Sequence, residues 1–132
     1  MKNLVQTAID IGYLKILVKV LRAAGLIDIL SDKGPFTIFA PTDKAFAKLK
    51  IEELENIIND KEKLTEILTY HIISKKVMVN QVFNLKKTNT VNGKDLSINA
   101  KKRFKVENAK IIKKDIECTN GIMHIIDEVL IP

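Results

Sequence analysis

Residues 34–49 read Gly-Pro-Phe-Thr-Ile-Phe-Ala-Pro-Thr-Asp-Lys-Ala-Phe-Ala-Lys-Leu, and they leave little freedom in local structure. Gly34-Pro35 is a turn signal, and Phe36 to Ala40 is an aromatic and β-branched run suited to a short, buried strand. Pro41 cannot donate to a strand ladder and disfavours helical geometry at Ala40, so the strand is expected to end there. Thr42 can then cap a helix whose apolar positions are Ala45, Phe46 and Leu49. Three of the chain's five phenylalanines lie in this strand-corner-helix unit, which places it at the core. The corner Pro41-Thr42-Asp43 reads as the joint between helices and sheet.

At 132 residues with 46% hydrophobic content, the chain is expected to be one domain over 1–132, able to bury a core without disulfides or metal. The apolar stretch from Leu4 to Leu30 is interrupted by Asp10, Lys15, Lys19, Arg22 and Asp28, so it is neither a membrane span nor a signal-peptide core. Structured sequence directly after Met1 fits either a cytoplasmic protein that starts there or an extracellular one whose export signal was trimmed. A single cysteine, Cys118, excludes an internal disulfide framework. The net charge of +6 is uneven: residues 1–66 carry 10 basic and 10 acidic side chains, residues 67–132 carry 12 and 6. Most of the excess lies between Lys86 and Lys114, which points to one basic face.

Along the chain, helical spacing comes first. Leu4, Val5, Ala8 and Ile9 form one set, broken at Gly12; Leu14, Leu17, Val18, Leu21 and Ala24 form an amphipathic stripe with Lys15, Lys19 and Arg22 turned away. Gly25 is a left-handed stop, and Leu26 can make the apolar contact of such a cap. Leu26 to Leu30 adds a short helical turn. Beyond the central unit, Ile51, Leu54, Ile57 and Ile58 predict a helix, and Asp60 caps another carrying Leu64, Ile67, Leu68 and His71. Val77 to Leu85 fits a short helix or an extended connection. From Lys86 the period becomes two. Thr88–Val91 and Lys94–Ile98 predict a hairpin closed by Asn92-Gly93, Arg103–Glu107 a strand with Phe104 and Val106 inward, and Lys110–Ile116 another. Asn120-Gly121 then turns into Ile122–Ile126, and Val129–Ile131 reads as a last strand, with Asp127 turning the chain between the two through local hydrogen bonds. Helices first and an antiparallel sheet afterwards define the α+β class.

His71, His124 and Cys118 are the natural candidates for a metal site or acid-base chemistry. Their spacing matches no zinc pattern, and both histidines share faces with apolar neighbours, so they read as buried, hydrogen-bonded structural residues. In particular, His71 is expected to bond the corner at Thr42 or Asp43. No nucleophile elbow, phosphate loop or flagged carboxylate pair occurs, so no catalytic, cofactor or metal residue is nominated. Lys101, Lys102 and Arg103 head the basic run, which is either a solvated edge guarded by lysine or a site for an anionic ligand. Acidic polysaccharide and anionic lipid fit such a site better than nucleic acid, because few aromatics accompany the basic strands.

Three stretches fall into one pattern: Thr37 to Phe46, Leu64 to Ile73 with its Tyr70-His71 pair, and Asn120 to Pro132. In order and spacing they resemble the signature blocks of the fasciclin (FAS1) domain, and Ala23-Ala24-Gly25-Leu26 and Asn92-Gly93 extend the similarity over nearly the whole chain. The resemblance implies a compact wedge of antiparallel β-strands packed with several helices from the first half. It also implies a non-catalytic adhesion or binding role at the cell surface or in the extracellular matrix, through a protein or an anionic polysaccharide. On that basis Thr37, Phe39, Pro41, Thr42, Asp43, Phe46, Asn120, Gly121, His124 and Asp127 are structural. Tyr70 and His71 match a motif linked to adhesion, and Asp115-Ile116 fall where animal matrix members carry an integrin-associated pair. Glu117 departs from the apolar residue expected there, so that partner is not carried over. With Lys101, Lys102 and Arg103, these four complete the partner-binding candidates. The alternative is an intracellular basic domain that binds polyanions on the same scaffold.

Overall fold

Phe36–Pro41 forms β1 and Gly121–Ile126 forms β7, and the two run side by side in parallel as the second and third strands of a seven-stranded sheet. The computed structural model describes residues 2–83, 87–99 and 105–132. The sheet order is β2-β1-β7-β6-β5-β4-β3, with β2 at Ile72–Ile73, β3 at Lys87–Asn89, β4 at Asp95–Asn99, β5 at Lys105–Val106 and β6 at Ala109–Cys118. All pairs except β1–β7 are antiparallel. The α+β class therefore holds, but the sheet is mixed rather than purely antiparallel. The parallel pair arises because most of the chain intervenes between β1 and β7, ample length for a crossover.

Both β1 and β7 are buried on two faces, and their period of two divides the core. Ile38 and Ala40 of β1, with Met123 and Ile125 of β7, pack under the helices α1 (Leu4–Ile11), α2 (Lys15–Ala23), α3 (Ile27–Ser31), α5 (Ile51–Asn59) and α6 (Lys61–Thr69). Phe39 and Ile126 project to the other face and join Tyr70, Val77, Leu96, Val106 and Leu130 in a second cluster. Two short helices complete the inventory of described elements, α4 (Asp43–Ala47) and α7 (Val79–Phe83).

The local stops work as their residue types demand. Gly25 takes φ 74°, and Leu26 N–H reaches back to Leu21 O at 2.9 Å, closing α2 in a left-handed cap with Leu26 buried. Asp60 caps α6 through Lys63 N–H at 3.2 Å. The ambiguous region after Val77 resolves into α7. The hairpin turns around Asn92-Gly93, which docks on the end of α6: Asn92 Nδ2 donates to Glu66 O at 2.7 Å.

Several expectations need correction. Val129–Ile131 is not a strand; Leu130 is buried, but its backbone N–H is spent on a histidine ring and not on a ladder. Asp127 makes no local turn bond. It exchanges bonds with Lys110 on β6, accepting Lys110 N–H at 2.8 Å and donating its own to Lys110 O at 3.1 Å. Pro41 is the last residue of β1 rather than a stop before it, opposite Ile126. Ile51 and Ile58 of α5 stand exposed, leaving Ile57 as that helix's buried residue. Of the strand expected at Arg103–Glu107, residues 105–107 are described: Lys105–Val106 form β5 with Val106 fully buried, whereas Glu107 has already left the strand in a turn at φ 52°.

Candidate functional site

The corner after β1 caps two helices with two adjacent side chains. Thr42 Oγ1 accepts Ala45 N–H at 3.1 Å and starts α4. Asp43 Oδ1 accepts Ile16 N–H at 2.8 Å, in the first turn of α2, while Asp43 N–H donates to Tyr13 O at 3.0 Å. Leu14, the residue at the start of α2, has no polar side chain to cap its own helix, so Asp43 supplies the missing acceptor from 27 residues away. Nothing local in the sequence announces this second role; the weak signal is an apolar residue at a helix start.

His71 is not bonded to that corner. It stands just past Tyr70, the C-cap of α6, is 1% exposed, and lies 2.7 Å by Nδ1 from Ile67 O, while Nε2 accepts Leu130 N–H at 2.9 Å. Those two partners fix the neutral tautomer with the proton on Nδ1. Burial pulls its pKa from 6.5 down to about 4, against a smaller opposing pull from the Ile67 carbonyl. Tyr70 is also buried. Its hydroxyl donates to Glu107 Oε1 at 2.9 Å with Asp95 O at 3.1 Å, and burial, then the Glu107 hydrogen bond and the nearby negative charges push its pKa up to about 12. Glu107 also accepts Ser97 N–H at 3.0 Å, so the Tyr70 ring ties α6 to the β4–β5 hairpin.

His124 lies on the opposite side of β1 from the helices, stacked on Phe39 at 5.6 Å between ring centres. Its Nε2 donates to Val77 O at 2.9 Å, and its Nδ1 accepts Asp115 N–H at 3.1 Å. Burial lowers its pKa, opposed by the Val77 carbonyl and the Asp115 charge. Thr37 grips the same segment: its hydroxyl donates to Lys75 O at 2.5 Å and accepts Val77 N–H at 2.8 Å. Asp115, at φ 55°, completes the set by accepting Val79 N–H at 2.8 Å at the start of α7. Three side chains from three strand positions thus hold residues 75–79 across the sheet. Ile116, beside Asp115, is half-buried.

At the other end of β7, the Asn120 carboxamide joins three segments. Its Oδ1 accepts Leu4 N–H at 3.0 Å, and its Nδ2 donates to Leu30 O and Asp32 O, both at 2.7 Å. Gly121 is required by proximity: a Cβ there would lie 1.9 Å from Phe36 O. Cys118 is buried with Sγ 3.4 Å from Thr7 Oγ1, and burial raises its pKa. Among the described residues no cluster of His, Cys, Asp and Glu could hold a metal ion. Lys101, Lys102 and Arg103 lie outside the described residues, as do Lys86 and Phe104. The structure thus brings Tyr70, His71, Asp115 and His124 into the interior or its edge as supports for backbone, and assembles no shared reactive centre from them.

A mixed sheet with most of its helices on one face, tied together by buried histidine, asparagine and threonine anchors, defines an α+β module. The chain belongs to the fasciclin domain family, whose description matches residues 12–132. It is 39% identical to protein sll1735 of Synechocystis sp. over 99% of this chain and 98% of that one. It is 33% identical to the cell surface glycolipoprotein MPB83 of Mycobacterium bovis, over 81% of this chain and 48% of that protein. The fold is similar to a FAS1 domain pair from the insect cell adhesion molecule Fasciclin I, with a TM-score of 0.72, 29% identity, and coverage of 92% of this chain and 46% of that chain. The chain therefore spans nearly all of the first relative and about half of the other two. No helix among the described residues is long and apolar enough to cross a membrane.

Proposed function

We propose that residues 1–132 act as one fasciclin domain, a non-catalytic adhesion or binding module at the cell surface or in the extracellular matrix. One observation carries this reading: the groups best suited to chemistry are committed to the scaffold. Both nitrogens of both histidines face backbone groups, the Tyr70 hydroxyl is bonded to Glu107, and the Cys118 thiol is buried against Thr7. A general acid or base must reach a substrate proton at its operating pH, and these rings are interior and neutral. What remains for recognition is the outer surface. The roles of the two relatives named as a cell-surface glycolipoprotein and a cell adhesion molecule support the same reading.

The partner is a surface protein or an anionic polysaccharide, and no cofactor takes part. Because Tyr70 and His71 are buried, they serve adhesion by holding the surface in shape rather than by touching the partner. Lys101, Lys102 and Arg103 supply the charge for an anionic partner. Beads coated with the chain and mixed with cell-surface and matrix fractions should retain them saturably, and chain denatured before coating should not. Retention on heparin beads should fall when these three residues are reversed to Glu, with a shallower dependence on salt. Retention no better than on albumin-coated beads, for every fraction, would overturn the reading.

A further inference from the structure

Beside the Thr42-Asp43 corner runs an open groove of about 660 Å3 with a predominantly apolar exposed lining. Tyr13, from the loop between α1 and α2, forms one apolar wall and is 43% exposed; Ile112 of β6 forms the other and is 52% exposed. Ile112 reaches the groove through a β-bulge. Ile111 pairs with Ile126 and Lys113 with Ile125, so β6 advances two residues while β7 advances one. Successive side chains of a regular strand point to opposite faces, yet Ile112 and Lys113 both line this groove. Bulges re-aim side chains in this way.

The charge at the rim is cationic. Lys44, Lys48 and Lys113 line the groove together with Asp43 and Asp127. Both carboxylates are turned to the frame, Asp43 accepting Ile16 N–H and Asp127 accepting Lys110 N–H. Lys48 has a loose pair with Glu128 at 3.8 Å. Lys44 and Lys113 have no acidic partner among the described residues.

We propose that this groove binds a small amphiphilic anion, a lipophilic carboxylate whose apolar body lies between Tyr13 and Ile112 and whose head is held by Lys44 and Lys113. Its size falls in the range of small-molecule clefts, about 300–1,000 Å3, whereas a stable protein interface occupies about 800 Å2 on each partner. An apolar cleft selects the body, and two ammonium groups with no acidic partner among the described residues select the head. This ligand is separate from the adhesion partner, so either can fail without the other.

The probe is 1-anilinonaphthalene-8-sulfonate, which couples an aromatic body to an anionic head and brightens when buried. Titration of the intact chain should saturate at one site. Dodecanoate, kept below its micelle-forming concentration, should displace the probe at least about tenfold more effectively than dodecanol, the difference expected for a head held by two cations, and acetate should not displace it. K44E/K113E should weaken probe and dodecanoate binding by about tenfold or more, K44Q/K113Q by less, and I9D, at another exposed isoleucine, should leave both unchanged. Far-UV circular dichroism checks that each variant is folded. Equal displacement by dodecanoate and dodecanol would overturn the proposal, as would unchanged binding in the folded K44E/K113E variant. Displacement by an acidic, leucine-containing peptide but not by dodecanoate would also overturn it, assigning the groove to a protein partner.

Discussion

The Nε2 atom of His71 accepts the backbone N–H of Leu130 at 2.9 Å, which fastens the end of the chain to the end of α6. That bond exists only while the ring is neutral, because a protonated imidazole has no acceptor.

A stability loss in mild acid follows. The folded-state pKa of His71, about 4, lies below its unfolded value of 6.5, so the unfolded chain takes up the proton first. The contribution of His71 is complete above pH 6.5 and is lost progressively as pH falls toward 4. It amounts to ~3 kcal/mol over that whole window, and His124 shifts in the same direction. Urea midpoints, measured above most carboxylate titration, should hold nearly level from pH 7.5 to about 6.5 and then fall toward pH 5. H71Q should be less stable at pH 7.5 yet show a flatter slope; an equal slope in the variant would show that the proton goes elsewhere.

The Asn120 carboxamide satisfies a helix N–H and two carbonyls from a buried position. N120A strands all three partners and should cost ~3 kcal/mol, since each buried group left without a bond costs ~1–3 kcal/mol. N120D should be no better, because a carboxylate would face the carbonyls of Leu30 and Asp32. Thermal unfolding of the two variants against wild type measures both effects.

How much of this was legible depended on range. Gly25, Thr42 and Asp60 signal caps through bonds spanning three to five positions, and each cap forms where its residue type indicates. Asn120 looked like a simple turn residue because its partners lie 88 to 116 positions away. The parallel β1–β7 pair was hidden for the same reason, since no local pattern tells a buried parallel strand from a buried antiparallel one. His71 shared a face with Leu64, Ile67 and Leu68, which indicated burial but not that Leu130 would reach it first. Exposure on α5 was misleading because the apolar spacing of Ile51 and Ile58 is helical, whereas the core takes in Ile57 and, in part, Leu54.

The double cap at the corner separates two neighbouring side chains by their helices. T42V removes the acceptor for Ala45 N–H and should cost ~1 kcal/mol. D43A removes the acceptor at α2 and should cost a similar ~1 kcal/mol, while D43N, which keeps an oxygen, should recover most of it. Hydrogen exchange gives the localisation: T42V should speed exchange in residues 43–47, and D43A at Ile16 and its neighbours. Uniform acceleration in both variants would mean that the two caps are one cooperative unit.

Asp115 tests whether the pair singled out by family resemblance acts on a partner or on its own chain. Its carboxylate accepts Val79 N–H, its amide donates to His124, and its backbone sits at φ 55°, a conformation that Asn and Asp tolerate better than other non-glycine residues. D115N keeps both an oxygen acceptor and that tolerance, so its stability should lie within ~0.5 kcal/mol of wild type. D115A loses both and should be weaker by ~1–2 kcal/mol, with faster exchange at Val79. The same variants in the bead assay separate the two roles. If Asp115 only seats α7, D115N should retain cell-surface and matrix fractions as wild type does. Lost retention in a D115N protein of unchanged stability would instead make the charge itself the contact, and would return Asp115 and Ile116 to the binding surface.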